Sequence, residues 1–223
     1  MGEPAVKHSK REMVIALHGL AGGCWTNWLL VRRLAAEGYL VENIDYPSFR
    51  CSIPKLVDGL AERFRKTVHA AEVDAVHVVA YSMGGIVVRA MLNDHADLPI
   101  DRMVMIAPPN QGSPAATRMA KWFRWFCPAV HELRDRASSY VQRLPGGLSQ
   151  DVGIIAGTYD RCVPVESTRL EAVQDIVEVP ASHATLPFRR DVAAYCSNFL
   201  QYGQFAPADA TASVPSGGLL PVR

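Results

Sequence analysis

The sequence predicts an α/β fold in which a mostly parallel sheet of about six strands is covered by helices on both faces. Short apolar runs of strand length recur along the chain, and most are followed by a turn rich in Gly, Pro or Asp. Between these runs lie longer stretches that carry apolar residues at helical spacing. Strands that alternate with helices in this way favour a parallel sheet that is buried on both faces.

The elements can be assigned in order along the chain. We predict strands over residues 13–17, 39–44, 76–80, 102–107, 152–157 and 176–179. We predict helices over about residues 28–36, 53–70, 83–93 and 186–199. The second of these helices carries apolar residues four positions apart, namely Leu56, Leu60, Phe64 and Val68. Residues 110–150 are less regular, and we predict that they form a small helical cap inserted in the domain.

One domain over residues 1–205 accounts for all these elements. The 223 residues of the chain are enough for a single domain with a sizeable apolar core. From residue 206 to 223 the chain is mostly Ala, Pro, Ser and Gly and shows no periodicity. We therefore predict that residues 206–223 are a disordered tail that carries no chemistry.

Charge and composition argue against several classes of function. The formal net charge of +1 gives no reason to expect a nucleic acid as partner. No apolar run approaches the roughly 20 residues that cross a membrane, and the N-terminus lacks the layout of a secretory signal. The five cysteines are odd in number, widely spread and without a Cys-x-x-Cys pair. We therefore expect free thiols, no zinc site, no stable membrane insertion and a cytoplasmic location; the sequence does not indicate an oligomeric state.

The most informative stretch runs from the third predicted strand into its helix and reads Ala80-Tyr81-Ser82-Met83-Gly84. A serine at a sharp strand-to-helix turn, with small residues two before and two after it, is typical of a nucleophile elbow. The usual pattern has Gly in both small positions, and Ala80 replaces the first of them here. The sequence therefore predicts Ser82 as a nucleophile near the positive end of a helix. For the pentapeptide alone, a simple turn is the alternative.

A serine hydroxyl needs a general base, and the base needs a third group that orients it. In folds with this elbow the chain order is serine, then acid, then histidine. Two histidines follow Ser82 outside its own helix. His183 comes directly after the last predicted strand, whereas His131 lies in the irregular insertion. We predict His183 as the base, because loops at the carboxyl ends of parallel strands carry the chemistry of such sheets.

The predicted acid is Asp160. It follows the fifth predicted strand directly and lies one strand before His183 along the chain. Asp151 and Asp175 open strands, which places them at the opposite edge of the sheet, and Asp135 lies in the insertion. The position of Asp160 in the chain order is the reason for preferring it.

The oxyanion hole of such a site needs two backbone N–H donors. One donor is predicted from Met83, the residue after the nucleophile, and the other from Leu20, in the glycine-rich loop after the first strand. We predict that His18, Gly19 and Tyr81 contact the substrate beside these donors. For the loop alone, a generic glycine-rich turn is the alternative.

Together these segments resemble the α/β-hydrolase superfamily, and specifically its small bacterial lipase and esterase branch. The segments are residues 18–22, 80–85, 157–164 and 182–183, and residues 107–113 are similar to the segment after the sixth strand in lipase-like members. The resemblance covers about residues 12–201. It implies a parallel sheet, a Ser-His-Asp triad, hydrolysis of acyl bonds through an acyl-enzyme, and no cofactor or metal. Little sequence precedes residue 13, so we expect the family's first strands to be missing and a six-stranded core to remain.

The predicted cap carries an apolar stripe at positions i, i+3, i+4 and i+7, formed by Met119, Trp122, Phe123 and Phe126. This spacing predicts one face of a helix, with Lys121 and Arg124 off that face. Such a stripe can be core packing, can line an acyl-binding cleft or can contact lipid. We predict that its three aromatic members line the substrate pocket.

The leading hypothesis is a serine carboxylester hydrolase that acts on a small acyl ester or a lipid-like substrate. A thioesterase or an acyltransferase would use the same triad with a different leaving group or acceptor. A non-catalytic binding module of the same fold is a hypothesis from another class. It is disfavoured because a binding module has no need of Ser82, Asp160 and His183 together.

Overall fold

The computed structural model describes residues 10–123 and 125–206, so the predicted tail beyond residue 206 lies outside the described residues. The strands of the described chain are β1 (Glu12–Leu17), β2 (Leu40–Ile44), β3 (Ala75–Tyr81), β4 (Arg102–Ile106), β5 (Asp151–Gly157) and β6 (Asp175–Val179). They form one sheet in the order β2-β1-β3-β4-β5-β6, and every neighbouring pair is parallel. The predicted fold class is confirmed, and each strand lies within one residue of its predicted bounds.

Seven α-helices and two 3-10 helices connect the strands in the described part of the chain. The α-helices are α1 (Cys24–Ala36), α2 (Ile53–Ala71), α3 (Met83–Asp94), α4 (Pro114–Phe123), α5 (Pro128–Glu132), α6 (Tyr140–Arg143) and α7 (Arg190–Tyr202). The 3-10 helices are Val165–Thr168 and His183–Phe188. The closing α-helix begins at Arg190 instead of the predicted residue 186. Residues before it form a 3-10 helix that contains Pro187, which has no N–H to donate to an α-helical turn.

Helices cover both faces of the sheet, and each face has its own apolar core. On one face α2 buries Leu56, Leu60 and Phe64, three of the residues predicted to face the core. On the other face α1 and α7 pack together. Successive residues of the strand β1 point into opposite cores. Ile15 packs in the core under α2, whereas Val14 packs in the core under α1 and α7. This double burial is the physical reason for the continuous apolar runs in the central strands.

The insertion contains three short helices, and the predicted single helical face is wrong for Phe126. Helix α4 ends at Phe123, whose carbonyl oxygen accepts hydrogen bonds from the N–H groups of Phe126 (3.1 Å) and Cys127 (2.8 Å). The following Pro128 disfavours helical backbone at Cys127, which has φ −137° and ψ 85°. The chain therefore turns before Phe126, while Arg124 lies outside the described residues.

The strand registers bring the carboxyl ends of the central strands to one edge of the sheet. Leu17 of β1 pairs with Ala80 of β3, and Tyr81 pairs with Ile106 of β4. The loops that leave these ends therefore meet at the same edge, which is where parallel α/β sheets place their ligands. None of the described helices is both long enough and apolar enough to cross a lipid bilayer.

Candidate active site

Ser82 lies at the corner between β3 and α3 in a conformation that few non-glycine residues adopt. Its φ of 53° and ψ of −122° fall outside the common regions, and such backbone costs on the order of 1–3 kcal/mol. Neighbouring backbone groups hold it there. The Ser82 N–H donates to the Ile106 carbonyl at 2.8 Å, and the Gly85 N–H donates to the Ser82 carbonyl at 3.0 Å. A strained serine at this edge of the sheet is the geometry that the elbow pattern predicts.

Gly84 is required by the close approach of α3 to the end of β1. A Cβ atom at Gly84 would lie 2.8 Å from the carbonyl oxygens of both Leu17 and His18. Ala80, which occupies the other small position of the pattern, is fully buried. The start of α3 therefore packs directly on the end of β1 and on the loop that leaves it.

Ser82, His183 and Asp160 form a continuous hydrogen-bonded line. Nε2 of His183 lies 2.9 Å from Oγ of Ser82, and Nδ1 lies 2.5 Å from Oδ2 of Asp160. The other carboxylate oxygen of Asp160 accepts the N–H groups of Cys162 and Val163, both at 2.8 Å. With an ionised Asp160 accepting the proton on Nδ1, Nε2 presents its lone pair to the serine hydroxyl. The structure thus brings together the three residues predicted as nucleophile, base and acid.

The other candidates for the acid and the base lie away from this hydrogen-bonded line. Asp151 and Asp175 begin β5 and β6, at the opposite edge of the sheet. Asp135 accepts a hydrogen bond from the Thr117 hydroxyl, and His131 bonds to a backbone carbonyl of the insertion. Within residues 10–123 and 125–206, no group of three or more His, Cys, Asp or Glu side chains is placed to hold a metal ion.

Tyr81 supports His183 from the end of β3. Its hydroxyl donates to the His183 carbonyl at 2.9 Å, and the centres of the two rings lie 5.1 Å apart. Burial raises the pKa of Tyr81, and the nearby Asp160 charge raises it further. The phenol therefore stays protonated and remains a hydrogen-bond donor. Tyr81, predicted to contact substrate, also positions the backbone of His183.

The loop after β1 crosses close to the nucleophile. A Cβ atom at Gly19 would lie 3.1 Å from Cβ of Ser82, and the loop turns back through a hydrogen bond from the Gly22 N–H to the Gly19 carbonyl. Among the residues that the structure describes, the backbone N–H groups of Leu20 and Met83 have no hydrogen-bond acceptor. The role of these two N–H groups as oxyanion donors stays a prediction.

His18 is fully buried beneath this loop. Its Nδ1 lies 2.8 Å from the Gly19 carbonyl oxygen, and its ring stacks on Tyr46 with 4.2 Å between the ring centres. The Tyr46 hydroxyl donates to the His18 carbonyl, so the side chains of Tyr46 and His18 hold the carbonyl groups of His18 and Gly19. Sequence reasoning missed Tyr46, although its position directly after β2 is the same strand-end signal that marked the other site residues. Direct contact of His18 with substrate stays a prediction.

A small apolar cavity opens beside Tyr81, the residue before Ser82, between the loop after β1 and the 3-10 helix that begins at His183. Its volume is about 210 Å³, and its lining includes Gly19, Leu20, Trp25, Tyr81, Ala184 and Phe188. Sequence reasoning found three of these residues. It missed Trp25, Ala184 and Phe188, which are close along the chain to the predicted loop and base. The lining of this cavity does not include Trp122, Phe123 or Phe126, whose role in substrate binding stays a prediction.

Comparison with known proteins identifies the family of this chain. A family model for the alpha/beta hydrolase fold matches residues 12–152, more than half of the chain. No curated protein matches the sequence at a significant level.

Among solved structures, the mature Bacillus licheniformis lipase BlEst2 is 18% identical, with a TM-score of 0.72 over 91% of this chain and 96% of that chain. Aspergillus fumigatus lipase B is 16% identical, with a TM-score of 0.71 over 89% of this chain and 55% of that chain. The enol-lactonase from Burkholderia xenovorans LB400 is 14% identical, with a TM-score of 0.60 over 87% and 93% of the two chains. At these identities the likeness shows the fold alone.

Proposed function

This chain belongs to the α/β-hydrolase family, and on that basis we propose that it is a serine carboxylester hydrolase. The observation that carries the proposal is the line from Ser82 through His183 to Asp160, with separations of 2.9 and 2.5 Å. The unpaired N–H groups of Leu20 and Met83 beside it supply the second requirement of acyl transfer.

In the proposed first half-reaction, Oγ of Ser82 attacks the ester carbonyl carbon while Nε2 of His183 removes the hydroxyl proton. Negative charge develops on the carbonyl oxygen and is stabilised by the N–H groups of Leu20 and Met83. The imidazolium of His183, held by the buried Asp160 carboxylate, then donates its proton to the leaving alkoxide. The C–O bond to the alcohol breaks, and the acyl group remains on Ser82.

In the second half-reaction a water molecule replaces the alcohol. His183 accepts a proton from the water as its oxygen attacks the acyl carbon, and the same two N–H groups stabilise the oxyanion. Collapse of this intermediate returns the proton to Oγ of Ser82 and releases the carboxylic acid. Every proton transfer in this cycle passes through His183, so no cofactor is needed.

The size of the apolar cavity supports a short acyl chain. Its 210 Å³ is below the roughly 300–1,000 Å³ of sites that enclose a drug-sized ligand. The proposal therefore favours esters of short carboxylic acids over long-chain lipids. Because all five cysteines are free thiols, the proposal includes a cytoplasmic location.

Active-site labelling with a fluorophosphonate tests the nucleophile. We expect the reagent to modify the wild-type chain at Ser82 and to leave Ser82→Ala and His183→Ala unmodified. Ser182→Ala is the matched control, because Ser182 is an exposed neighbour of the base and its hydroxyl bonds to the hydroxyl of Thr185. Labelling of Ser182→Ala at the wild-type rate is expected. Absence of labelling in folded wild-type protein would contradict the proposal and favour a binding module.

A substrate series tests the bond that is cleaved. Hydrolysis of p-nitrophenyl esters should have its highest kcat/KM with short acyl groups and should fall as the acyl chain outgrows the cavity. A rising kcat/KM with chain length would refute the short-chain assignment. Faster turnover of acyl-coenzyme A than of oxygen esters of the same acid would identify a thioesterase instead.

A further inference from the structure

We propose that α4 and the turn after it form a docking surface for an anionic lipid bilayer. The surface, called here the aromatic–basic face, comprises Met119, Trp122, Phe123, Trp125 and Phe126 together with Lys121, Arg134 and Arg136. Binding of this face to a bilayer is independent of the proposed esterase activity. It requires only side chains of the insertion.

Helix α4 buries small residues and leaves its largest side chain, Trp122, in solvent. The buried residues of α4 are Ala116 and Ala120, so its small residues face the protein. Met119 and Phe123 are partly exposed, at 42% and 37%, whereas Trp122 is 80% exposed and the turn after α4 exposes Phe126 at 70%. A surface helix of a globular domain normally buries its large apolar residues. Core packing therefore does not account for Trp122 and Phe126, and large apolar side chains left exposed on one segment indicate an interaction site.

The charges around these aromatic residues fit an anionic partner. A cavity of about 520 Å³ beside α4 is lined by basic side chains, by Trp125 and by smaller residues. Its basic members are Lys121, His131, Arg134 and Arg136. Within the described residues, no ion pair joins Lys121, Arg134 or Arg136 to a carboxylate.

Two acidic residues lie on the elements packed against this cavity, and both already have hydrogen-bond partners. Asp135 accepts the hydroxyl of Thr117, and Glu132 accepts the backbone N–H of Ile53 at 2.6 Å. Lys121 and Arg136 are exposed and therefore available to the phosphates of anionic lipids, whereas the half-buried Arg134 already donates its Nε–H to the His131 carbonyl oxygen at 2.9 Å. Aromatic side chains at the interface beside Lys and Arg are the combination that holds a helix on such a bilayer.

The start of α4 is tied to the loop of the predicted acid. The Ser113 hydroxyl donates to the Cys162 carbonyl at 2.6 Å, and the Cys162 N–H donates to Asp160. The chain just before α4 is therefore linked to the loop that carries Asp160, which contacts His183 and thus the Ser82 site. Docking through this face would hold the site close to a surface in which apolar esters dissolve.

Flotation of the full-length chain with lipid vesicles tests the proposal. We expect it to float with vesicles of phosphatidylcholine mixed with phosphatidylglycerol at low salt. Binding to vesicles of phosphatidylcholine alone should be weaker by about tenfold or more, because each basic side chain near an anionic surface adds to the attraction. About 1 M NaCl should weaken the binding to anionic vesicles, since it screens surface charges.

Two double variants separate the apolar and the charged contributions. Trp122→Ala with Phe126→Ala, and Lys121→Glu with Arg136→Glu, should each lower vesicle binding by about tenfold or more. Matched controls on other helices are Trp28→Ala and Lys66→Glu, which replace an exposed aromatic residue on α1 and an exposed lysine on α2. These controls should bind vesicles like the wild type. Unchanged thermal unfolding of all variants excludes loss of fold.

Several results would overturn the proposal. These are no flotation with any vesicle, equal flotation with uncharged and anionic vesicles, or full binding by both double variants. Competition by free glycerol phosphate as strong as that by vesicles would assign the cavity to a soluble phosphate ligand. A dimer that Trp122→Ala dissociates would assign the face to a second copy of the chain. Lys121→Glu with Arg136→Glu should keep wild-type hydrolysis of a soluble ester, which separates failure of docking from failure of the proposed function.

Discussion

Gly84→Ala should destabilise the protein although the same substitution strengthens most helices. The added Cβ would lie 2.8 Å from two backbone carbonyl oxygens, of Leu17 and His18, which cannot rotate away as a side chain can. Forcing an extra carbon into such a site costs about 1–3 kcal/mol, and rigid backbone neighbours favour the upper part of that range. The helical preference of Ala over Gly offsets about 1 kcal/mol of this cost. We therefore expect a net loss of about 2 kcal/mol in the free energy of unfolding.

Gly59→Ala is the matched control. Gly59 also lies inside a helix, but a Cβ atom there would meet no heavy atom within 4 Å. Only the helical preference applies, so this variant should gain about 0.5–1 kcal/mol. The two substitutions, identical in chemistry, should thus have opposite effects on stability.

Urea denaturation at neutral pH measures both variants against the wild type. The midpoint should fall for Gly84→Ala and rise for Gly59→Ala, with the same dependence on urea concentration in all three proteins. Because the carbon at Gly84 pushes the loop after β1 away from the elbow, kcat should also fall in Gly84→Ala and not in Gly59→Ala. Wild-type stability of Gly84→Ala would refute the close packing of α3 on β1. Equal losses in both variants would show that alanine is unfavourable for a reason unrelated to this contact.

Three further predictions test the acid, a buried histidine and the link to the insertion. Asp160→Asn should keep the fold and lower kcat by a factor on the order of 10³–10⁴, because an amide does not hold His183 in the tautomer that accepts the serine proton. A kcat within tenfold of wild type on a soluble ester would contradict this role of Asp160. Burial lowers the pKa of His77, so the unfolded chain binds a proton more readily than the folded one. The free energy of unfolding should therefore fall as the pH drops below about 6.5. This one group accounts for at most about 1.4 kcal/mol per pH unit. His77→Phe should remove that part of the pH dependence in urea titrations at pH 8 and pH 5, and an unchanged dependence would assign it to other groups. Ser113→Ala removes the hydroxyl that caps α4 and that donates to the Cys162 carbonyl. The free energy of unfolding, measured with heat or urea, should fall by about 0.5–2 kcal/mol. An unchanged free energy of unfolding would show that neither bond stabilises the fold.

The six strands were predicted within one residue because each is a short apolar run that ends in a turn residue. Such signals are local, and the chain alone carries them. The ends of two helices were predicted less accurately, because a nearby proline interrupts the helical periodicity. The predicted stripe extends to Phe126, but α4 ends at Phe123. Helical spacing alone does not include the effect of Pro128 on the backbone of the preceding residue.

The candidate site was predicted from chain order, and that order has a physical basis. In a parallel sheet every strand ends at the same edge, so residues just after strands meet in space although they are far apart in sequence. Ser82, Asp160 and His183 were selected for that reason, and the structure places them in hydrogen-bonded contact. Tyr46 occupies an equivalent position after β2. It was missed because a tyrosine has no required part in the expected chemistry.

The sequence by itself determined the sheet, the elbow and the identity of the three candidate catalytic residues, because strand periodicity, turn chemistry and chain order are properties of the chain. Only the tertiary structure decided how His18 is held by Tyr46, which side chains line the cavity beside Tyr81, and that Trp122 of α4 lies in solvent. These features depend on contacts between elements that are distant in sequence. A periodic pattern states that a helix has an apolar face, but it does not state whether that face meets the core or the solvent.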